Sequence, residues 1–124
     1  MTISTAESLI MEVLWRSPRP LAVEDVTEAL AHESGWTEGT VRTLMTRLKK
    51  KKAVAASKEG RRLFYRPLVD RTAYVHDQSQ GLLDRLFQGE LTPLVHHFAK
   101  HRDLTPAEIE DLKALIAEVE KTHG

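Results

Sequence analysis

The chain has 124 residues, and its 18 Lys and Arg balance its 18 Asp and Glu, so the net charge by itself indicates no partner. The sequence contains no cysteine, which excludes a disulfide framework, a thiol nucleophile and a thiolate metal site. Its apolar runs are too short to span a membrane and its N-terminus does not resemble a signal peptide, so we expect a cytoplasmic protein without membrane insertion.

Two helices are predicted in the first part of the chain. Ser4 or Thr5 can cap the first helix, and Glu7 lies three residues after Ser4, where it can complete a capping box. Apolar residues then recur at helical spacing and stop at two prolines, the first of which is Pro18. A second, short amphipathic helix is expected to end at residues 34–35.

A third helix is predicted after Thr37, which is its natural N-cap. A step of about 100° per residue gathers one apolar set on the inward face: Val41, Leu44, Met45 and Leu48. The opposite face is mostly small or basic, so another surface can approach it closely. It carries Gly39, Arg42, Thr43, Thr46 and Lys50, with Thr40 and Arg47 on a flank.

A short hairpin follows the third helix directly. Residues 53–57 and 62–66 read as its two strands, and residues 58–61 read as the turn, in which Gly60 is free to adopt a positive φ. A helix with a small-polar and basic outer face, followed at once by a basic hairpin, is typical of a winged helix-turn-helix that reads duplex DNA.

Basic charge is concentrated in this helix and hairpin. Residues 37–67 hold ten basic and two acidic side chains, whereas residues 71–124 hold six basic and nine acidic ones. We expect the helix to contact base edges and the flanking cations to hold phosphates, with two half-sites about 34 Å apart in a two-fold symmetric complex. The predicted contacts to double-stranded DNA are Thr37, Gly39, Thr40, Arg42, Thr43, Thr46, Arg47, Lys50, Lys51, Lys58, Arg61 and Arg62.

Further helices are predicted in the remainder of the chain. One runs from a cap at Asp70 to Gln88, a short one starts at Thr92, and an amphipathic one follows the cap Thr105. Their apolar residues could all pack within one subunit. However, three helices with so little domain around them favour a core shared between two copies.

The predicted fold class is therefore mainly α with a small β-hairpin wing. A winged helix-turn-helix DNA-binding domain is assigned to residues 1–69 and a helical dimerisation domain to residues 70–124. The predicted dimer interface comprises Leu82, Leu83, Leu86, Leu91, Leu94, Val95, Phe98, Leu104, Ile109, Leu112, Leu115, Ile116 and Val119.

Several stretches of the sequence match the pattern of one family. The segment Trp36-Thr-Glu-Gly-Thr-Val-Arg-Thr-Leu-Met-Thr-Arg-Leu48 shows Trp, a helix cap and then Thr-(Val/Ile)-x-Thr-Leu-x-x-Arg-Leu. Together with residues 7–15, 60–67 and 104–112, it resembles the penicillinase-repressor (BlaI/MecI-type) winged-helix family, and the resemblance covers nearly the whole chain.

The resemblance implies a homodimeric repressor that binds a palindromic operator and is held together by its C-terminal helices. The regulon it implies is β-lactam resistance or a related one. In antibiotic-responsive members the signal of a membrane sensor-protease system leads indirectly to proteolysis in the C-terminal half, and the matching bond here is His97–Phe98. Family members often have glycine where this chain has Lys52, so either Lys52 occupies that turn at some strain or the turn is different.

Other functions are weighed against this one. His97 and His101 are four residues apart with His96 nearby, which is metal-ligand spacing. No carboxylate or thiolate stands at a matching offset, so we expect surface or interface histidines and predict no metal and no cofactor. The sequence shows no nucleophile–base pair or phosphate loop, so we expect no enzyme. A winged-helix protein-interaction module without DNA binding and a ligand-sensing winged-helix regulator remain as alternatives.

Overall fold

The described part of the chain consists of α-helices and one β-hairpin, as the sequence predicts. The computed structural model describes residues 2–101 and 104–123. In chain order its elements are α1 (Thr5–Arg16), α2 (Val23–Ala29), α3 (Ala31–Ser34), α4 (Glu38–Lys50), β1 (Val54–Glu59), β2 (Arg62–Pro67), α5 (Arg71–Leu86), α6 (Leu91–His101) and α7 (Pro106–His123). The chain divides into two units, Met1–Val75 and His76–Gly124. The assignment of separate DNA-binding and dimerisation domains meeting at residues 69 and 70 stays a prediction.

Helix α1 begins and ends where the sequence predicts. The Glu7 backbone N–H donates to Ser4 Oγ over 3.1 Å, and the Ser4 backbone N–H donates to Glu7 Oε1 over 2.8 Å. This capping box provides partners for amide groups that a helix cannot satisfy within its own first turn. The helix ends at Arg16, ahead of the two prolines.

The single second helix predicted from the sequence is in fact two helices, α2 and α3. Leu30 lies between them with φ −99° and ψ 3°, and its side chain is 1% exposed. The local sequence gives no sign of this break, because Ala29-Leu30-Ala31 are all good helix formers. Burial of a leucine is worth about 1.5–3 kcal/mol, whereas helix propensities of ordinary residues differ by at most about 0.7 kcal/mol, so packing outweighs local preference.

The core of the first unit holds α4 by one face. Val41, Leu44, Met45 and Leu48 are all buried, which confirms the predicted inward face. The other buried apolar members of this core are Ile3, Ile10, Met11, Val13, Leu14, Val23, Val26, Leu30, Ala53, Val54 and Tyr65. Because packing uses only this side of α4, the opposite side is left exposed.

Strands β1 and β2 form an antiparallel hairpin with a tighter turn than predicted. The register pairs Glu59 with Arg62, so the turn contains two residues rather than the predicted residues 58–61, and Lys58 belongs to β1. The first turn residue, Gly60, has a φ of 64°, as expected for glycine in a two-residue hairpin turn. Strand β1 therefore continues through Lys58 and Glu59, although polar residues of this kind are more usual in turns.

Contacts distant in sequence attach the hairpin and the start of α5 to the rest of the first unit. Leu21 pairs with Tyr65 through two backbone hydrogen bonds of 3.0 and 2.7 Å. The Trp15 indole N–H donates to the Val69 carbonyl over 2.8 Å, and its ring lies 5.4 Å from that of Tyr74. The hairpin is therefore anchored to the rest of the first unit through Tyr65 of β2.

Lys52 adopts the left-handed conformation, the first of the two possibilities that the resemblance leaves open for this turn. Its φ is 65°, and it follows the C-cap residue Lys51 of α4. The Lys52 N–H donates to the Lys49 carbonyl over 3.0 Å, and the Ala53 N–H donates to the Leu48 carbonyl over 2.9 Å. These two bonds form the helix-ending motif that usually has glycine at this position, so the turn is of the glycine type, and the strain that this implies for Lys52 stays a prediction.

Replacement of Lys52 by glycine should relieve this strain. We expect Lys52→Gly to be about 1 kcal/mol more stable than Lys52→Ala, because both variants lose the charge but only alanine keeps a Cβ in the left-handed region. Urea denaturation of the two variants measures the difference. Equal stabilities, or a more stable alanine variant, would show that the turn carries no strain.

One charged side chain is buried among the described residues of the first unit. The Glu7 carboxylate is 1% exposed, and Lys51 Nζ donates to its Oε1 over 2.5 Å. Its Oε2 has no hydrogen-bond partner among the described residues. Burial raises the pKa of the Glu7 carboxyl, but the hydrogen bonds from Lys51 and Ser4 outweigh burial and hold the pKa below its ordinary value. The pair joins α1 to the C-terminal end of α4.

Acid should remove the stabilisation that this pair provides. The pKa of Glu7 is lower in the folded protein than its ordinary value of 4.5, so the unfolded chain takes up the proton first as the pH falls. We expect Glu7→Gln to cost most stability above about pH 5 and progressively less as the pH falls through the folded pKa. Urea denaturation of wild type and variant between about pH 7 and about pH 3 tests this. A cost independent of pH would contradict it.

The described part of the second unit has no buried core of its own. None of its described residues, 76–101 and 104–123, is buried. The N-terminus of α7 is capped as predicted, since the Glu108 N–H donates to Thr105 Oγ1 over 3.1 Å, and α6 begins at Leu91, one residue earlier than predicted. The exposed large apolar side chains of the second unit are Leu86, Leu91, Val95, Phe98, Ile109, Leu112, Leu115, Ile116 and Val119.

Candidate nucleic-acid interface

The outer face of α4 is exposed along its whole length. Thr37 caps the helix as predicted, with its Oγ1 accepting the Thr40 N–H over 3.3 Å. A Cβ added at Gly39 would contact Thr37 Oγ1 at 3.7 Å, an ordinary distance, so packing within the first unit does not require glycine at this position. Exposed residues of this face are Gly39, Thr40, Arg42, Thr43, Thr46, Arg47 and Lys50. The face is thus small near its N-terminal end and basic towards its C-terminal end.

The threonine hydroxyls on this face already donate within the helix. Thr43 Oγ1 donates to the Gly39 carbonyl over 3.0 Å, and Thr46 Oγ1 donates to the Arg42 carbonyl over 2.9 Å. Bonds of this kind to the preceding turn leave the hydroxyl lone pairs and the methyl groups for a neighbouring molecule. In a major groove, lone pairs match the amino groups of adenine and cytosine, and methyl groups match the methyl of thymine.

The cations predicted to contact DNA fall into a paired and an unpaired group. Arg42 lies 3.9 Å from Glu38, and Arg62 donates to Glu24 over 3.0 Å. Both pairs are exposed, so they contribute little to stability, and each arginine can exchange its carboxylate partner for a phosphate. Lys51 differs, because it neutralises a buried carboxylate. Within the described ranges no ion pair is formed by Arg47, Lys50, Lys58 or Arg61.

An open groove of about 620 Å³ separates α4 from the hairpin. It brings together Arg42 and Thr46 of the helix with Arg61 and Arg62 of the hairpin, and Lys58 is not among the residues that line it. Lys49 was not predicted as a contact, although its position seven residues after Arg42 places it on the same side of α4. The groove is lined by Val23, Glu24, Glu38, Arg42, Thr46, Lys49, Arg61, Arg62, Leu63 and Tyr65.

The residues predicted for a dimer interface lie in the second unit, where four are half-buried and nine are exposed. The half-buried ones are Leu82, Leu83, Leu94 and Leu104.

The predicted cleavage bond His97–Phe98 lies inside α6, so a protease would have to unwind that helix locally before cutting it. Across residues 2–101 and 104–123, no group of three or more His, Cys, Asp or Glu is placed to hold a metal, and no helix is long and apolar enough to cross a bilayer.

Known proteins match the chain over most of its length. A family model described as penicillinase repressor matches residues 3–118. The penicillinase repressor of Bacillus licheniformis is 33% identical over 116 residues, which are 94% of this chain and 90% of that protein. The methicillin resistance regulatory protein MecI of Staphylococcus aureus (strain N315) is 28% identical over 114 residues, 92% of each chain. The solution structure of monomeric Bacillus licheniformis BlaI in complex with the blaP half-operator is 35% identical, with a TM-score of 0.51, and covers 60% of this chain and 89% of that one.

Proposed function

The chain belongs to the penicillinase repressor family, and from that premise we propose that it is a homodimeric transcriptional repressor that binds a palindromic DNA operator in the cytoplasm. The observation that carries the proposal is the exposed, cation-bearing face of α4 beside a basic hairpin. A similar domain occurs in a relative that was solved with a half-operator. The proposal assigns no catalytic role to any residue.

Base contacts are assigned to the outer face of α4. Arg42 and Arg47 carry planar guanidinium groups that can bind O6 and N7 of a guanine together. Thr43 and Thr46 offer methyl groups and acceptor lone pairs, because their hydroxyl protons are used within the helix. The small N-terminal end of the face lets the helix enter a groove closely, and it comprises Thr37, Gly39 and Thr40.

Phosphate contacts are assigned to the cations on either side of this face. Each cation that neutralises a phosphate releases counterions, so these residues should supply most of the affinity and its salt dependence. Lys51 has less freedom for such a contact, because a phosphate would compete with the buried Glu7 carboxylate. The proposed set is Lys49 and Lys50 on α4 with Lys58, Arg61 and Arg62 on the hairpin, and Lys51 in a secondary role.

A second copy of the chain is proposed to cover the apolar faces of α6 and α7. Ile109, Leu112, Ile116 and Val119 recur at helical spacing along α7, and all are exposed in the single chain. A unit in which none of the described residues is buried gains little stability by itself, whereas pairing of two such units builds a shared core. Dimerisation also doubles the DNA contacts, with the two α4 helices about 34 Å apart on the duplex.

The regulated genes are proposed to serve β-lactam resistance or a related response, on the strength of the relatives named for penicillinase and methicillin resistance. A membrane sensor-protease system would act on the repressor indirectly, with His97–Phe98 as the proposed cleavage bond. Appearance of a fragment ending at His97 after β-lactam treatment of cells that contain the circuit would support this route.

Arg47→Ala tests the proposed reading of bases. A duplex enriched by the wild type from a random pool serves as the operator, and it should contain two symmetric half-sites. We expect Arg47→Ala to weaken binding to it by about 1–3 kcal/mol per half-site in gel shifts, because a bidentate base contact is lost. The variant should remain folded and dimeric.

Arg85→Ala is the matched control, since Arg85 is an exposed arginine on α5 in the second unit. It removes the same side chain and charge and should leave affinity for the enriched duplex unchanged. Wild-type affinity in Arg47→Ala would remove that residue from the base contacts. Failure of the wild type to enrich or retain any duplex at low salt would contradict the function itself.

A further inference from the structure

Two histidines of α6 form a pair whose imidazole rings have no part in the proposed function. His97 and His101 are one helical turn apart, with ring centroids separated by 4.8 Å and ring planes at 41°. Both residues are exposed, and neither ring forms a hydrogen bond or ion pair with another residue in the ranges 2–101 and 104–123. The His97 ring also meets the rings of Phe87 and Phe98 edge-on, at 6.0 and 5.5 Å, which restricts its position.

The separation of the two rings fits two imidazoles on one metal ion. A Zn–N bond of about 2.0–2.1 Å places the ion about 3.2 Å from each ring centroid. The centroids of two such rings are then about 4.5 Å apart at an N–Zn–N angle of about 90° and about 5.2 Å apart at the tetrahedral angle. The observed 4.8 Å lies between these limits. Histidines four residues apart on a helix are also the spacing by which helices supply two ligands to zinc.

We propose that His97 and His101 form a two-ligand site for a divalent transition ion of the Zn²⁺ type. With tetrahedral coordination, the two remaining positions would be taken by water. This proposal revises the sequence-based expectation of no metal, which depended on the lack of a third ligand at a suitable offset. It does not depend on DNA binding, because the pair lies in the second unit.

A bound ion would hold the last turn of α6 in its helical form. Imidazole pairs suit zinc, copper and nickel, and the ion links two residues that the backbone already places one turn apart. Because the site exists only when this turn is helical, binding stabilises the helical state by mass action. His96, about 100° around the helix from His97, lies outside the pair and should not take part.

Calorimetric titration of the untagged full-length protein with ZnCl₂ tests the site. The wild type should bind one Zn²⁺ per chain, and His97→Gln and His101→Gln should each weaken binding by about tenfold or more, that is by about 1.4 kcal/mol. His96→Gln is the control and should bind as the wild type does. Circular dichroism should show the same helix content in all four proteins.

Three outcomes would overturn the proposal. They are a wild type that takes up no Zn²⁺, wild-type binding in both pair variants, and an equal loss in His96→Gln. A second measurement is the rise in Tm on addition of Zn²⁺, which should occur in the wild type and in His96→Gln but disappear in both pair variants.

Discussion

Ile116→Glu should convert the protein to a monomer and weaken its binding to a palindromic operator by about 100-fold or more. Ile116 is 58% exposed in the single chain and lies beside Leu112 on the apolar face of α7. In the proposed dimer this face is buried, so each copy would carry an unpaired carboxylate into an apolar interface, at a cost of several kcal/mol.

The loss of DNA affinity follows from the loss of the dimer. A dimer binds its second half-site as an intramolecular event, which commonly raises the overall affinity by about 10²–10⁴-fold. Light scattering reports the mass of the variant, and gel shifts with full and half operators report its affinity. The variant should bind the half operator as well as the wild type does, because α4 and the hairpin are unchanged.

Ala117→Glu provides the matched control for this result. Ala117 is exposed on the same helix and lies about 100° around it from Ile116, outside the row of Ile109, Leu112, Ile116 and Val119. The substitution adds the same charge to α7 and should leave a dimer with wild-type affinity. A dimeric Ile116→Glu protein would contradict the proposed assembly, and a monomeric Ala117→Glu protein would show that the apolar face is not the contact.

Lys51→Ala should lower the free energy of unfolding by about 2–3 kcal/mol, although lysines in a basic run usually matter little for stability. The reason is Glu7, whose carboxylate is 1% exposed and whose only described cationic partner is Lys51. Removal of one partner of a buried ion pair leaves an uncompensated charge, which is usually more costly than the loss of the pair itself. The Lys51 side chain is 35% exposed, which places the effect below that of a fully buried pair.

Lys50→Ala is the control in the adjacent position. Lys50 is exposed and forms no ion pair among the described residues, so its removal should change stability by less than about 0.5 kcal/mol. The same variant should weaken DNA binding and reduce the salt dependence by about one phosphate contact. Urea denaturation and salt-dependent gel shifts of both variants separate the structural lysine from the DNA-binding one.

The double variant Glu7→Gln with Lys51→Ala tests whether the unpaired Glu7 carboxylate causes the loss of stability in Lys51→Ala. If the cost of Lys51→Ala comes from a stranded carboxylate, the neutral Gln should restore a large part of the lost stability. A double variant less stable than Lys51→Ala would refute that explanation. Equal stabilities of Lys50→Ala and Lys51→Ala would show that the Glu7–Lys51 pair contributes nothing.

The elements that form the candidate interface were predictable because their signals are local. Thr37 caps α4 through the amide of Thr40, and the inward positions of that helix follow from its period of 3.6 residues. The left-handed turn at Lys52 was one of two possibilities left by the resemblance to a family that often has glycine there, and its φ of 65° decides between them. The break at Leu30 was not predictable, because the local sequence favours helix and only burial in the core opposes it.

By itself, the sequence determined the helices and strands apart from the break at Leu30, the face of α4 that is left for a partner, and the concentration of cations beside it. Each of these features depends on residues that are close together along the chain, within about one or two helical turns. Only the tertiary structure decided that Lys51 and Arg62 are engaged, because the carboxylates that pair with them lie 44 and 38 residues away along the chain. Coulomb attraction acts across space, so it depends on how the core brings α1 and α2 against α4 and the hairpin.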